Sequence, residues 1–281
     1  MFKQRVLTAL VLAPIMIGGI FFLEQTYFAL FIGLIATLGA WEWANIAGYE
    51  KSTGRIAYAF FVAVCLFFSA QFLHAYPSFV IYFLAIGTLW WAIAFALVRR
   101  YPGGTRLWNA RPIRAMLGLC VLIPMWVGFV ELKQQEHSSL LIIYVMFVIW
   151  GADTGAYFSG KRWGRSKLAP SVSPGKSWAG FWGGLVTALL VALVFGLYVH
   201  EAIRPVTFDN AWKLIVITVV TMVISVLGDL VESMMKRHRG IKDSSALLPG
   251  HGGILDRIDS MAAAVPVFAF SMLMLGWSLV A

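Results

Sequence analysis

The densest group of chemically active residues lies between Gly228 and Asp259. Asp229, Glu232, Ser233 and Lys236 are spaced i, i+3, i+4 and i+7, so on a helix they share one face. An acid at the end of an apolar stretch is costly unless it is paired or holds a cation. That makes Asp229 a candidate functional residue. Glu232 is open between the same role and an interfacial salt bridge. Arg237 and Lys242-Asp243 follow, then Leu248-Pro249-Gly250-His251-Gly252-Gly253-Ile254-Leu255-Asp256-Arg257-Ile258-Asp259. Gly252 and Gly253 permit close backbone approach, and their N–H groups can hold phosphate oxygens. Asp256 and Asp259 are three apart and share a face if a helix begins there. Carboxylates suit Mg²⁺, which usually takes one or two of them together with substrate phosphates. Acids beside bases in one short stretch therefore fit phosphate plus metal better than either alone. His251 is open between a phosphate contact and a turn residue.

A second group begins at Asp153, in Gly151-Ala152-Asp153-Thr154-Gly155-Ala156-Tyr157, and continues through Lys161, Arg162, Arg165 and Lys167. It ends in Ser173-Pro174-Gly175-Lys176-Ser177-Trp178. Gly175-Lys176-Ser177 looks like the tail of a P-loop, but the required earlier glycine is Pro170, so that match fails. What survives is a Gly/Ser turn with a lysine opening a helix, whose N-terminus suits phosphate. Glu42, in Trp41-Glu42-Trp43, is a lone acid in an apolar run. It either supports the site or pairs with an arginine in the bundle.

These residues must be held by membrane helices. Of 281 residues, 60% are apolar or aromatic and 12% are charged. Mean hydropathy is +0.81. A water-soluble fold could not give such a chain a polar coat. A soluble enzyme, a disordered protein, a coiled coil and a soluble domain on a single anchor are all excluded. Spans of about 20 residues each fit nine times: near 6–23, 27–47, 56–73, 79–98, 115–130, 140–156, 178–199, 214–230 and 261–281. The expected fold is all-α: one polytopic membrane domain over residues 1–281, with active loops at 153–177 and 229–260. These two loops carry six of the thirteen acids and ten of the twenty-two bases.

Charge sets the expected orientation. Nineteen Lys and Arg residues fall at the N-terminus and in alternate loops, against Lys133, Arg204 and Lys213 on the other side. The positive-inside bias puts the N-terminus and both active loops in the cytoplasm, and the C-terminus opposite. The net charge of +9 thus belongs to loops facing anionic lipid, not to nucleic-acid binding. The basic start has no small-residue cleavage site after it, so the first span is expected to stay uncleaved. Cys65 and Cys120 lie inside apolar runs and read as small buried hydrophobes. His74, His137 and His200 lie on the far side.

The stretch from Ser233 to Asp259 resembles the signature of the phosphatidate cytidylyltransferases, also called CDP-diacylglycerol synthases, over 27 residues without a gap. Asp153-Thr154-Gly155-Ala156-Tyr157, Lys167-Leu168-Ala169-Pro170 and Ser173–Trp178 are also similar to that family. So are the length and the polytopic layout, which match its bacterial members. The resemblance implies CTP and phosphatidate as substrates, CDP-diacylglycerol and pyrophosphate as products, and Mg²⁺ dependence, with room for a second cation. It implies an inner-membrane protein working on the cytoplasmic face. The metal aspartates carry over to Asp229 and Asp256. Lys176, Lys242 and Arg257 join them as catalytic candidates. Asp153, Ser233, Lys236, Arg237, His251, Gly252, Gly253 and Asp259 are substrate-binding candidates. Oligomeric state is not legible, although a homodimer is plausible.

Other readings fit less well. CDP-alcohol phosphotransferases carry their aspartates at another spacing, which Asp256-Arg257-Ile258-Asp259 lacks. A transporter would put charges near the bilayer midplane and often show repeats, whereas only Glu42 is clearly mid-span here. An assembly protein has no use for a glycine pair beside three aspartates.

Overall fold

The computed structural model describes residues 2–203 and 205–279. Met1, Arg204 and the last two residues of the expected ninth span lie outside the described residues, as do the side chains of Lys3 and Arg5. The order is α1 (Phe2–Phe22), α2 (Gln25–Ala47), α3 (Ser52–Ala75), α4 (Val80–Arg100), α5 (Arg111–Gln134), α6 (Ser138–Trp163), β1 (Lys167–Ala169), β2 (Ser173–Ser177), α7 (Trp178–Ala202), α8 (Phe208–Arg239) and α9 (Leu255–Leu275). Among the described residues, eight helices are long and apolar enough to cross a membrane, and α1 adds a shorter apolar run, Leu10–Phe22. The chain is an all-α polytopic membrane protein. Lipid offers the backbone no hydrogen bonds, so helices carry the crossings.

Burial separates inner from outer helices. The apolar windows of α5 and α9 are 61% buried, against 22% for α3 and 28% for α4 and α7. The outer helices expose Phe60, Phe67, Ile86, Leu190 and Leu197, side chains that a bilayer accommodates and water does not. The inner face is filled by Trp43, Trp91, Tyr144 and Phe268.

Helix limits differ from the hydropathy reading mainly where charged residues begin, and α9 also stops at Leu275 rather than running on to the expected 281. The expected sixth span ends at 156 and the ninth begins at 261, yet α6 runs to Trp163 and α9 starts at Leu255. Hydropathy fades where charges begin, but the helical hydrogen-bond ladder continues into the interface. Asp153 and Asp229 therefore stand well inside α6 and α8, and Asp256 and Asp259 at the start of α9, rather than in loops. The remaining loop holds an antiparallel hairpin pairing Lys167 with Ser177 and Ala169 with Ser173. Lys176 lies on its second strand, so it does not open a helix as expected. The N-cap of α7 is Ser177, whose Oγ accepts from the Gly180 N–H at 3.1 Å.

Two close helix crossings bring the charged ends together. On α6 and α7, a Cβ added at Gly184 would lie 2.8 Å from the Ala152 carbonyl, so small residues set the approach. On α8 and α9, a Cβ added at Gly228 would lie 2.5 Å from the Asp259 carbonyl and 2.8 Å from the Ala263 Cβ. Gly228→Ala should thus force α8 and α9 apart and destabilise by about 1–3 kcal/mol. The expected result is a clearly lower thermal midpoint in detergent. Gly18→Ala, where nothing lies within 4 Å, should leave the midpoint unchanged within error.

Candidate active site

Two ion-pair clusters meet where α6, β2, α8 and α9 converge. In the first, Lys176 Nζ lies 2.7 Å from Asp229 Oδ2, and Ser233 Oγ donates to Asp229 Oδ1 at 3.1 Å. Asp153, from α6, lines the same cavity of about 380 Å³ as Lys176 and Asp229. In the second, Lys236 Nζ sits between Glu232 Oε1 at 3.1 Å and Asp256 Oδ1 at 2.5 Å. Asp256 Oδ2 accepts three more donors: Ser244 N at 3.0 Å, Ser244 Oγ at 2.9 Å and Gly253 N at 2.8 Å. Asp259 links the clusters electrostatically, because the charges of Asp229, Lys176 and Lys236 all act on it.

The expected helical face is real: Glu232 and Lys236 pair one turn apart on α8, and so do Asp229 and Ser233. Enclosure differs between the clusters. The Glu232, Asp256 and Lys236 side chains are 3%, 6% and 10% exposed, while Asp229 is 33% exposed. Neither oxygen of Glu232 receives a hydrogen bond of good geometry. Asp153, Asp229, Glu232, Asp256 and Asp259 gather here with Lys176 and Lys236, so carboxyl oxygens are the main donor set of the site.

Hard oxygen donors of this kind suit a divalent cation. Among the described residues no three His, Cys, Asp or Glu side chains close around one point. A pair of carboxylates is the number Mg²⁺ usually takes when substrate phosphates complete its shell. Asp229 fits such a role, with its carboxylate on the cavity wall. Asp256 could join it once Lys236 releases Oδ1.

Other expected site residues are more peripheral. Arg237, Lys242 and Arg257 are exposed. Arg237 donates to the Ile241 carbonyl at 3.4 Å, and Arg257 to the His251 carbonyl at 2.9 Å. His251 keeps a buried Nδ1 without a partner. The Gly252 carbonyl accepts from Leu248 N at 2.8 Å, and the Gly253 N–H is committed to Asp256. Ser244 and Ser245 were not foreseen. Nothing in Lys242-Asp243-Ser244-Ser245 marks them, since the Glu42 carboxylate that joins them lies far away in sequence. Glu42, left open between two roles, forms no salt bridge among the described residues. It binds Ser244 and Ser245 instead.

Beside the polar cavity lies an apolar groove of about 740 Å³ between α4, the hairpin, α7 and α8. Trp91, Phe95, Trp178 and Leu227 line it, and Arg99 stands within it. Leu168, Phe181 and Val226 belong to both walls, so groove and cavity adjoin.

Residues 3–275 match the model of the cytidylyltransferase family. The chain belongs to that family. It is 49% identical over 277 residues to a phosphatidate cytidylyltransferase of Pseudomonas aeruginosa, covering 99% of both chains. It is 41% identical over 285 residues to one of Haemophilus influenzae, covering 96% of this chain and 98% of the other. A Bacillus subtilis phosphatidate cytidylyltransferase is 42% identical over 160 residues, about half of each chain. The resemblance read from Ser233–Asp259 is thus borne out along nearly the whole chain, and the chain is a nucleotidyltransferase of this family.

The two lysines should differ in what they do for stability. Lys236→Met leaves Glu232 and Asp256 buried without their shared counter-charge, which costs about 3–5 kcal/mol. Lys176→Met strands only a part-exposed Asp229 and should cost about 1 kcal/mol or less. Thermal unfolding in detergent should show a large drop for the first and a small one for the second.

Proposed function

We propose that the protein transfers CMP from CTP to phosphatidate, giving CDP-diacylglycerol and pyrophosphate, at the cytoplasmic face of a bacterial inner membrane. The observation that carries this reading is the meeting of a charged cavity with an apolar groove, in a chain alike end to end with phosphatidate cytidylyltransferases. The cavity suits a polyanionic nucleotide and the groove suits an acyl chain. A lipid substrate brings its own anchor, so its headgroup must reach the reacting atoms sideways, at interface depth. The positive-inside split of Lys and Arg supports the cytoplasmic orientation.

A phosphatidate oxygen attacks the α-phosphorus of CTP, and pyrophosphate leaves. A phosphate monoester is largely dianionic at neutral pH, its second pKa being about 6, so no strong general base is required. The chief obstacle is repulsion between two polyanions. Lys176 and Lys236 sit among carboxylates and can shift to phosphate oxygens as these arrive. Arg237, Lys242 and Arg257, exposed beside the site, can neutralise the triphosphate. Asp229 and Asp256 are the residues that would hold Mg²⁺. A divalent cation held by them would supply electrostatic stabilisation of the charge that develops as pyrophosphate leaves. Asp153 and Asp259 flank this pair and add further carboxyl oxygens beside it. Catalysis rests on positioning and electrostatics.

Three outcomes are expected. With labelled CTP, phosphatidate and Mg²⁺, Asp256→Asn should abolish transfer of label to lipid while the protein still inserts and extracts normally. A mutant keeping more than about a tenth of wild-type turnover, a loss under about 1.4 kcal/mol, would remove Asp256 from the metal assignment. Lys133→Ala, on the opposite side, should leave turnover near wild type. Val226→Trp, at the junction of groove and cavity, should raise KM for phosphatidate several-fold while KM for CTP stays within error. Equal rises in both constants would count against the groove as the lipid path.

A further inference from the structure

Glu42 is a fully buried acid on α2, far in sequence from the charged clusters. Its carboxylate accepts four donors. Oε1 takes Ser245 Oγ at 2.5 Å and Ile254 N at 3.0 Å. Oε2 takes Ser244 Oγ at 3.1 Å and Leu255 N at 2.6 Å. All four belong to the segment joining α8 to α9, and the two backbone donors stand at the start of α9. That helix has Ile254 at its N-cap, with no side-chain cap of its own. Glu42 supplies the missing acceptor from another helix, and its negative charge suits a helix N-terminus.

The same segment shapes Asp256. Ser244 Oγ stands between Glu42 Oε2 and Asp256 Oδ2, and it has one proton to share between them. The Gly253 N–H donates to Asp256 Oδ2. A Cβ added at Gly253 would lie 2.0 Å from Ser244 Oγ and 2.5 and 2.6 Å from the two Glu42 oxygens. Glycine is therefore required at 253, because Ser244 Oγ and the Glu42 carboxylate to which it donates together leave no room for a side chain. The anchor is firm on the α2 side as well, since the neighbouring Trp43 indole donates to the Arg114 carbonyl of α5 at 2.8 Å.

We propose that Glu42 is a positioning residue for the transfer reaction. It fixes residues 244–255, and through Ser244 and Gly253 it fixes the orientation of Asp256, without touching substrate. The inference rests on the reading that Asp256 belongs to the reacting site. A single carboxylate, distant in sequence, thus decides whether the glycine-rich segment presents Asp256 in its working geometry.

Glu42→Gln tests this, because it keeps shape and volume but turns one acceptor oxygen into a donor facing two donors. Purified in detergent at matched folded fraction, the variant should lose about 10–100-fold in kcat. The Mg²⁺ concentration for half-maximal rate should rise several-fold, while KM for phosphatidate stays within about twofold, since the lipid groove lies elsewhere. A purely structural role would lower the thermal midpoint and leave kcat and the Mg²⁺ midpoint of the folded fraction unchanged, which would overturn the proposal. If Glu42→Gln does not accumulate, Ser245→Ala decides, because it removes one donor and keeps the carboxylate. A reduced kcat with unchanged phosphatidate KM supports the proposal, and wild-type kcat overturns it. Asp256→Asn run alongside separates the two layers. If it is inactive while folded Glu42→Gln is fully active, only the role of Glu42 fails. If Asp256→Asn is itself active, the site reading fails first.

Discussion

One ammonium, that of Lys236, is held between two enclosed carboxylates, Glu232 and Asp256. It is the link between the longest helix, α8, and the central helix, α9. An ion pair of this kind contributes little net stability, because desolvating three charges offsets much of their attraction. Its effect is on geometry. Separating α8 from α9 here would leave Lys236 without Asp256 and Asp256 without its counter-charge. The close approach at Gly228 and the capping of α9 by Glu42 are consistent with this single arrangement, and each constrains the position of Asp256.

This constraint explains why the charged site can exist at a membrane edge. The outer helices give their apolar side chains to lipid, and the inner ones enclose the acids. The site is rich in carboxyl oxygens, which gives it a demand for a divalent cation. In the proposed function that demand is met by Mg²⁺, and the lysines that neutralise the acids turn to substrate phosphates. The apolar groove beside the polar cavity then has a clear use. It lets one substrate stay in the bilayer while the other arrives from water, and the two meet only at the reacting phosphates.

Much of this was legible in the sequence, for reasons that differ by residue. The spans showed because about 20 apolar residues in a row have few other uses. Asp229, Glu232, Ser233 and Lys236 showed because helical spacing is read directly from numbering. Asp256 and its glycines showed because acids, bases and glycines rarely crowd one short segment without a task. The hairpin at 167–177 did not show, since three- and five-residue strands carry too little pattern. The true ends of α6 and α9 were missed because hydropathy records solvent preference, while helix continuation is set by backbone hydrogen bonds. Ser244 and Ser245 were invisible, as ordinary loop residues whose partners lie elsewhere in the chain. Glu42 was visible as an anomaly, but its role depended on knowing what α2 packs against.

The central claim is nucleotidyl transfer to a membrane lipid, and the fate of individual phosphates tests it most directly. The purified protein, in vesicles containing phosphatidate with Mg²⁺ present, would be given CTP labelled at either the α- or the γ-phosphate. The account predicts α-label in the lipid phase and γ-label released as pyrophosphate, in equal amounts. γ-Label in lipid would mean transfer of a terminal phosphoryl group, and no lipid label from folded protein would mean no transfer to phosphatidate; either result would contradict it.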